Sequence, residues 1–234
     1  MGLQEKLNRL KNGFEAQAPK EIVEIMHRAT ADLEKSGILH STVKVGDQAP
    51  DFSLQNADGR EFSLKDLLAL GPVVLSFYRG KWWPYCNLEL DALKKSAGDF
   101  EALGATFIAI SPQLQTFNRE LREEKKLTFE ILSDPGNQAA QRYGLKFQLP
   151  EDLRAVYLKL NIDLPKYNGD DSWTLPLPTT LIIDQNGIIW HGAINADYTV
   201  RPDPEENMAA LKKWWDRIEW LISAPPSACQ PINY

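Results

Sequence analysis

The chain has few of the side chains that usually carry chemistry. Its 234 residues include two cysteines, three histidines and three methionines. Two cysteines in a chain of this length make no disulfide framework, which excludes a small stapled scaffold and points to a reducing, intracellular setting. His27, His40 and His191 have no ligand spacing with Cys86 or Cys229, so neither a metal nor another cofactor is expected. No run of about 20 apolar residues is present, so no segment reads as a membrane span. The first residues, MGLQEKLNRLKNGF, hold no apolar run of signal-peptide length, and a cytoplasmic protein is the expectation. A net charge of −6 argues against nucleic acid or an anionic membrane surface as the main partner. Internal repeats, low-complexity tracts and interior linkers are also missing.

What remains is an ordinary globular composition, 43% hydrophobic and 25% charged, ample for one large core. The first 43 residues read as a helical extension. Leu3, Leu7, Leu10 and Phe14 share one helix face, and Ala18-Pro19 marks a break. A second helix carries Ile22, Ile25, Met26, Ala29 and Leu33, ending near Gly37. This hairpin packs either on the main domain or on a partner subunit, and no chemistry is visible in it. Residues 52–64 read as a β-hairpin around Asn56–Arg60, with Ser63 capping a short helix.

Strands at 73–78, 105–110 and 129–132 alternate with helical patterns, which implies parallel pairing by crossovers. The helix after the second strand is placed from Ser111 to about Lys126, with Leu114, Phe117 and Leu121 inward. Residues 145–176 break the rhythm. They hold a short helix with Ala155, Leu158 and Leu160 as its apolar positions, then a polar, turn-rich loop from Lys166 to Trp173. The segment reads as a peripheral insertion, with a covering role as the alternative. A hairpin over 180–190 and a last helix from Asp203-Pro204 follow, and residues 223–234 form a Pro-rich tail.

The stretch Pro72–Leu103 organises the chain. An apolar strand runs into Arg79-Gly80-Lys81-Trp82-Trp83, and Pro84 then opens a helix. Cys86, Leu90, Leu93, Ala97 and Phe100 fall on one face of that helix. Cys86 therefore belongs to the first turn, where free N–H groups and the helix dipole favour an anion and ease ionisation of a thiol. The same position lies on the apolar face, where a cysteine can also serve as a small hydrophobe. Pattern alone leaves both readings open.

Several motifs together resemble one family. They are Gly46-Asp47-Gln48-Ala49-Pro50-Asp51-Phe52, the Phe77–Leu90 stretch, Leu132-Ser133-Asp134, Ile182–Gly187, and Asp197-Tyr198-Thr199-Val200-Arg201 ahead of Asp203-Pro204. Residues 44–222 resemble a peroxiredoxin-like protein of the alkyl hydroperoxide reductase/thiol-specific antioxidant family. The resemblance implies an α/β, thioredoxin-like fold with a central mixed β-sheet and helices on both faces. The N-terminal hairpin and the 145–176 insertion lie outside the minimal fold. It also implies a thiol peroxidase in which Cys86 is the peroxidatic cysteine and Arg201 steadies the thiolate and the peroxide. A solvated charge beside the last helix is the plainer reading of Arg201.

The chain departs from the family in two ways. Trp83 stands where a threonine or a cysteine is usual, which removes a CxxC pair and reshapes or blocks the peroxide pocket. Arg79 replaces a frequent proline, either adding positive potential beside the sulfur or simply being solvated. Cys229 is the one remaining thiol, a candidate resolving residue or a free thiol without a role. The partners implied are a hydroperoxide and an external thiol reductant such as thioredoxin, glutaredoxin or glutathione, with a homodimer as a candidate assembly. Two other classes stay in view. One is a redox sensor or binding protein on the same fold, with turnover impaired by Trp83. The other is a thiol-disulfide oxidoreductase, which the missing CxxC disfavours.

Overall fold

The computed structural model describes residues 1–223, with side chains as far as Glu219. Helices α1 (Leu3–Gln17) and α2 (Lys20–Lys35) form the N-terminal hairpin, and α3 (Ile38–Ser41) closes it after Gly37. Then come β1 (Ser53–Asn56), β2 (Glu61–Ser63) and α4 (Leu64–Leu68). The central units are β3 (Val73–Phe77), α5 (Pro84–Ala102), β4 (Thr106–Ser111), α6 (Gln115–Lys125), β5 (Glu130–Ser133) and α7 (Gln138–Arg142). Next are β6 (Lys146–Gln148), α8 (Glu151–Lys159), α9 (Leu164–Asn168) and β7 (Thr174–Pro176). Strands β8 (Thr179–Ile183) and β9 (Ile189–Ile194) and helix α10 (Pro204–Ser223) complete the order.

Seven strands make one mixed sheet in the order β2-β1-β5-β4-β3-β8-β9. Strand β3 runs parallel to β4 and antiparallel to β8. Every residue of β3 is buried, Ser76 included, and its four apolar residues suit a strand covered on both faces. Alternation sends Val74 and the following Tyr78 to one face, under α1, α5 and α10. Val73, Leu75 and Phe77 go to the other, under α4 and α7. Helices on both faces of a central mixed sheet are what the motifs implied.

Helix α5 keeps its predicted inward face, with Cys86, Leu90, Leu93, Ala97 and Phe100 all buried. Helix α1 packs on α5, and α2 packs on α8. The N-terminal hairpin therefore rests on the body of the same chain. Gly144 shows how tight this junction is. It sits at φ +71°, and a Cβ there would run into the Ser41 carbonyl.

Three local expectations fail. Helix α6 begins at Gln115, not Ser111, because Ser111 is the last residue of β4. Leu114, the residue preceding the helix, is 41% exposed, and Asn118 takes the inward place. In α8 the inward residues are Leu153, Val156 and Tyr157. Ala155 and Leu158 point outward because both fall on the opposite side of the helix from that face. The polar stretch after Ile162 is not all loop. It contains α9, opened by the Asp163 carboxylate capping the Lys166 N–H, and β7 pairs antiparallel with β6.

Two truncations test this reading of the helix faces. Leu90→Ala, in the packed face of α5, is expected to lose about 2–5 kcal/mol. Leu158→Ala, on a half-exposed leucine, is expected to stay within about 0.5 kcal/mol of the parent. Urea unfolding of both variants measures the contrast, and a large loss at Leu158 would refute the assigned phase of α8.

Candidate active site

The site sits where β3 hands over to α5. Gly80 takes φ +150°, a value that suits glycine, and its carbonyl accepts the Trp83 N–H at 3.2 Å. Gln113 anchors the turn by accepting the Lys81 N–H at 2.9 Å through its side-chain oxygen. Gln113 in turn belongs to a buried polar cluster in which Asn118 accepts from the Tyr78 hydroxyl at 3.0 Å and donates to Ser133 at 2.8 Å. Pro84 is the first helical residue, so Cys86 lies in the first turn of α5. Trp83 occupies the N-cap position and offers no capping acceptor.

The Cys86 sulfur is fully buried. The Arg79 backbone N–H points to it at 3.4 Å, and an Arg201 guanidinium nitrogen lies at 3.9 Å. Arg201 reaches this point from the segment before α10. Its backbone N–H donates to the Gln4 side chain at 3.0 Å, and Gln4 donates to the Thr199 carbonyl at 3.1 Å. Helix α1 thus holds the arginine segment in place. The Arg201 side chain also pairs with Glu89, Nε to Oε2 at 3.0 Å, with both groups almost wholly out of water. The pairing is coulombic, since neither atom has an aligned hydrogen bond.

Around the Arg79 guanidinium stands an aromatic wall. Trp83 stacks on Tyr157 with ring centroids 5.4 Å apart, and Tyr198 meets Trp83 edge-on at 5.2 Å. The Arg79 guanidinium lies among these rings, 4.8 Å from Tyr198, 5.4 Å from Phe147 and 5.8 Å from Trp83. It donates to the Tyr157 hydroxyl at 3.3 Å. Two clefts approach without touching the sulfur. One of about 220 Å³ ends at Arg79, and one of about 640 Å³ ends at Glu89 and Arg201.

Burial pushes the Cys86 thiol above its ordinary value, with Arg201, the Arg79 N–H and the Arg79 charge pulling it back and Glu89 adding to the rise. The first-turn position led us to expect easier ionisation. In this closed arrangement desolvation wins. Glu89 is likewise raised by burial and lowered by Arg201.

A profile of the AhpC/TSA family fits residues 45–191. The chain belongs to the AhpC/TSA family. Among its relatives, peroxiredoxin Q, chloroplastic, of Oryza sativa subsp. japonica is 30% identical over 155 residues, 66% of this chain and 61% of the relative. The chain therefore spans 61% of that curated relative's length. The Sedum lineare protein of the same name is 29% identical over 160 residues, 68% of this chain and 73% of its own. The crystal structure of peroxidoxin BcpB from Mycobacterium tuberculosis aligns with a TM-score of 0.58 at 23% identity, covering 73% of this chain and 97% of that one. The crystal structure of Enterococcus faecalis AhpC aligns with a TM-score of 0.59 at 17% identity, covering 78% and 98%. At these identities the structural likeness speaks for the shared thioredoxin-like fold.

Against this AhpC/TSA frame, Cys86, Arg201, Arg79 and Trp83 converge. Arg79 and Arg201 are 3% and 4% exposed, so the solvated alternative weighed for each does not hold. Cys229 lies outside the described residues. Among the described residues no group of three or more His, Cys, Asp or Glu side chains is placed to hold a metal. Nor is any helix among them long and apolar enough to cross a membrane.

Sequence reasoning missed Glu89, Gln4, Phe147, Tyr157 and Tyr198. Glu89 carried a usable signal: it lies three residues after Cys86, hence on the same helix face, and a carboxylate there demands a cation. The insertion also proves to cover the site rather than to sit apart from it, through Tyr157 and Phe147.

The charges around the sulfur set a pH test. With its pKa raised, Cys86 holds less thiolate at neutral pH than a free cysteine, and its alkylation rate climbs only as pH rises past the ordinary thiol range. Arg201→Met removes a favourable charge and should move the midpoint of that profile higher. Glu89→Gln removes an unfavourable one and should move it lower. Iodoacetamide labelling of Cys86 across pH, read by mass spectrometry, checks both, and movement of both midpoints in one direction would refute the assignment.

Proposed function

We propose that this chain is a thiol-dependent peroxidase that reduces hydrogen peroxide or alkyl hydroperoxides with Cys86 as nucleophile. One observation carries the reading. The sulfur of Cys86 is faced from one side by a buried guanidinium and from another by a backbone N–H, at the start of a helix. In the proposed step the thiolate attacks the terminal oxygen of the hydroperoxide. The S–O bond forms as the O–O bond breaks, and the leaving alkoxide or hydroxide takes up a proton as alcohol or water. Cys86 becomes a sulfenic acid. Arg201 supports the thiolate and the charge that grows on the peroxide oxygens, and Glu89 holds the guanidinium in place. Trp83 leaves the first turn without the hydroxyl or thiol usual there, so the peroxide meets Arg201 and backbone N–H groups only.

Reduction then needs a second thiol. An external thiol, from thioredoxin, glutaredoxin or glutathione, attacks the sulfenic acid, releases water and leaves a mixed disulfide, which a further thiol resolves. Cys229 is retained as the candidate resolving residue within the chain or across a homodimer. The two-cysteine composition keeps the cytoplasm as our assignment, although the rice and Sedum relatives carry a chloroplastic label. No role for nucleic acid or a membrane enters this reading.

A second reading has its own support. Cys86 is fully buried and its thiol is pushed up by burial, which suits a slow, oxidisable sensor better than rapid turnover. Stopped-flow mixing with near-stoichiometric hydrogen peroxide separates the two, with sulfenic acid trapped by dimedone. The peroxidase reading expects rapid oxidation that disappears in Cys86→Ser and slows by about 10²–10³-fold in Arg201→Met. Trp83→Thr, which restores a capping hydroxyl and opens the wall, should oxidise faster than the parent. If Cys86 reacts no faster than an ordinary free thiol, the peroxidase reading is wrong.

A further inference from the structure

The cleft that ends at Arg79 is built mainly by parts of the chain outside the minimal fold. Helix α2 supplies Met26 and Ala29, and the insertion supplies Phe147 and Leu153. Its volume is about 220 Å³, and apolar side chains make up most of its walls. Arg79 is the cation lining it, 97% withdrawn from water. Among the described residues this guanidinium has no carboxylate within ion-pair reach and one side-chain partner, the Tyr157 hydroxyl. Its Nε is buried with no hydrogen bond. The rings of Tyr198, Phe147 and Trp83 stabilise the charge through their electron-rich faces, but they cannot accept the in-plane N–H bonds of a guanidinium. A buried cation with idle planar donors at the end of an apolar cleft lacks a planar anion.

We propose that this cleft is a binding site for an apolar monocarboxylate, with its carboxylate on Arg79 and its hydrocarbon body between α2 and α8. Room of this size suits a ligand on the scale of benzoate. Asp32 also lines the cleft and is exposed. It repels a second negative charge on the ligand, which restricts the ligand to a single carboxylate, while water screens its effect on a group at the buried end. The site is independent of the peroxidase reading, because it requires no reaction at Cys86.

Isothermal titration of the reduced full-length protein with benzoate and with benzamide tests the proposal. The two probes match in shape and differ in charge. Benzoate should bind at least about tenfold more tightly than benzamide, the difference expected when a charge-assisted pair is lost. Ala29→Trp, which fills the cleft, should weaken benzoate binding by a similar factor while far-UV circular dichroism stays native. Arg79→Gln, which adds no bulk, should erase the preference for the acid and covers the case in which the tryptophan variant does not fold. Equal affinity for the two probes, no benzoate binding at millimolar concentration, or a preference that survives Arg79→Gln would each overturn it.

Discussion

Two guanidinium groups are buried beside one sulfur, and the surrounding structure exists in large part to tolerate them. An arginine cannot shed its charge, so each burial must be offset on the spot. The two solutions differ. Arg201 takes a carboxylate, Glu89, from the same helix that presents Cys86. Arg79 takes aromatic faces and one phenolic oxygen. An ion pair in low dielectric gains much from attraction but pays for desolvation of both partners, so it fixes geometry more surely than it adds stability. Removing one member is another matter, since it strands the other charge at a cost of about 3–5 kcal/mol. The pair is therefore a positional lock on the group nearest the sulfur.

The lock explains the placement of parts that carry no chemistry. Arg201 lies far along the chain from Cys86, in a segment of no regular structure, and such a segment does not by itself hold a side chain to a fraction of an ångström. Gln4 of α1 bridges two backbone groups of that segment, and the Leu3 N–H donates to Asp203 just beyond it. The N-terminal hairpin is thus coupled to the site through the backbone of residues 199–203. Its apolar residues bury against α5 and α8, and its first turn orients the arginine.

Much of this was legible in the sequence, and the rest was hidden for identifiable reasons. The face of α5 follows from spacing alone, because five apolar residues at helical intervals admit one inward orientation. The strands of the seven-stranded sheet were equally plain, whereas the small β6–β7 pair was not. The convergence of Arg201 on Cys86 was not, since no periodicity connects positions so far apart, and only the Asp197–Arg201 motif pointed to it. Leu114 and Leu158 misled because an apolar side chain in a helical pattern is not bound to face inward. Asn118 and Tyr157 took the inward places instead, each satisfied by a hydrogen bond. The insertion read as polar and peripheral because its contribution to the site comes from single rings, Phe147 and Tyr157, spaced too widely to form a pattern.

Trp83 gathers these threads. A hydroxyl at that position would cap α5 and keep a small polar path to the sulfur. The indole does neither, and its own N–H is buried without a partner. It gains instead a large apolar contact area with Tyr157 and Tyr198 and supplies one of the faces that stabilise Arg79. The exchange is coherent only because the insertion is present. Without α8 the Trp83 ring would lose the Tyr157 face it stacks on, and Arg79 would lose its hydroxyl partner. Trp83, Arg79 and residues 146–157 therefore form one unit, in which the polar access usual at this turn gives way to an aromatic enclosure. The thiol rises in pKa because Cys86 is wholly buried beside this unit.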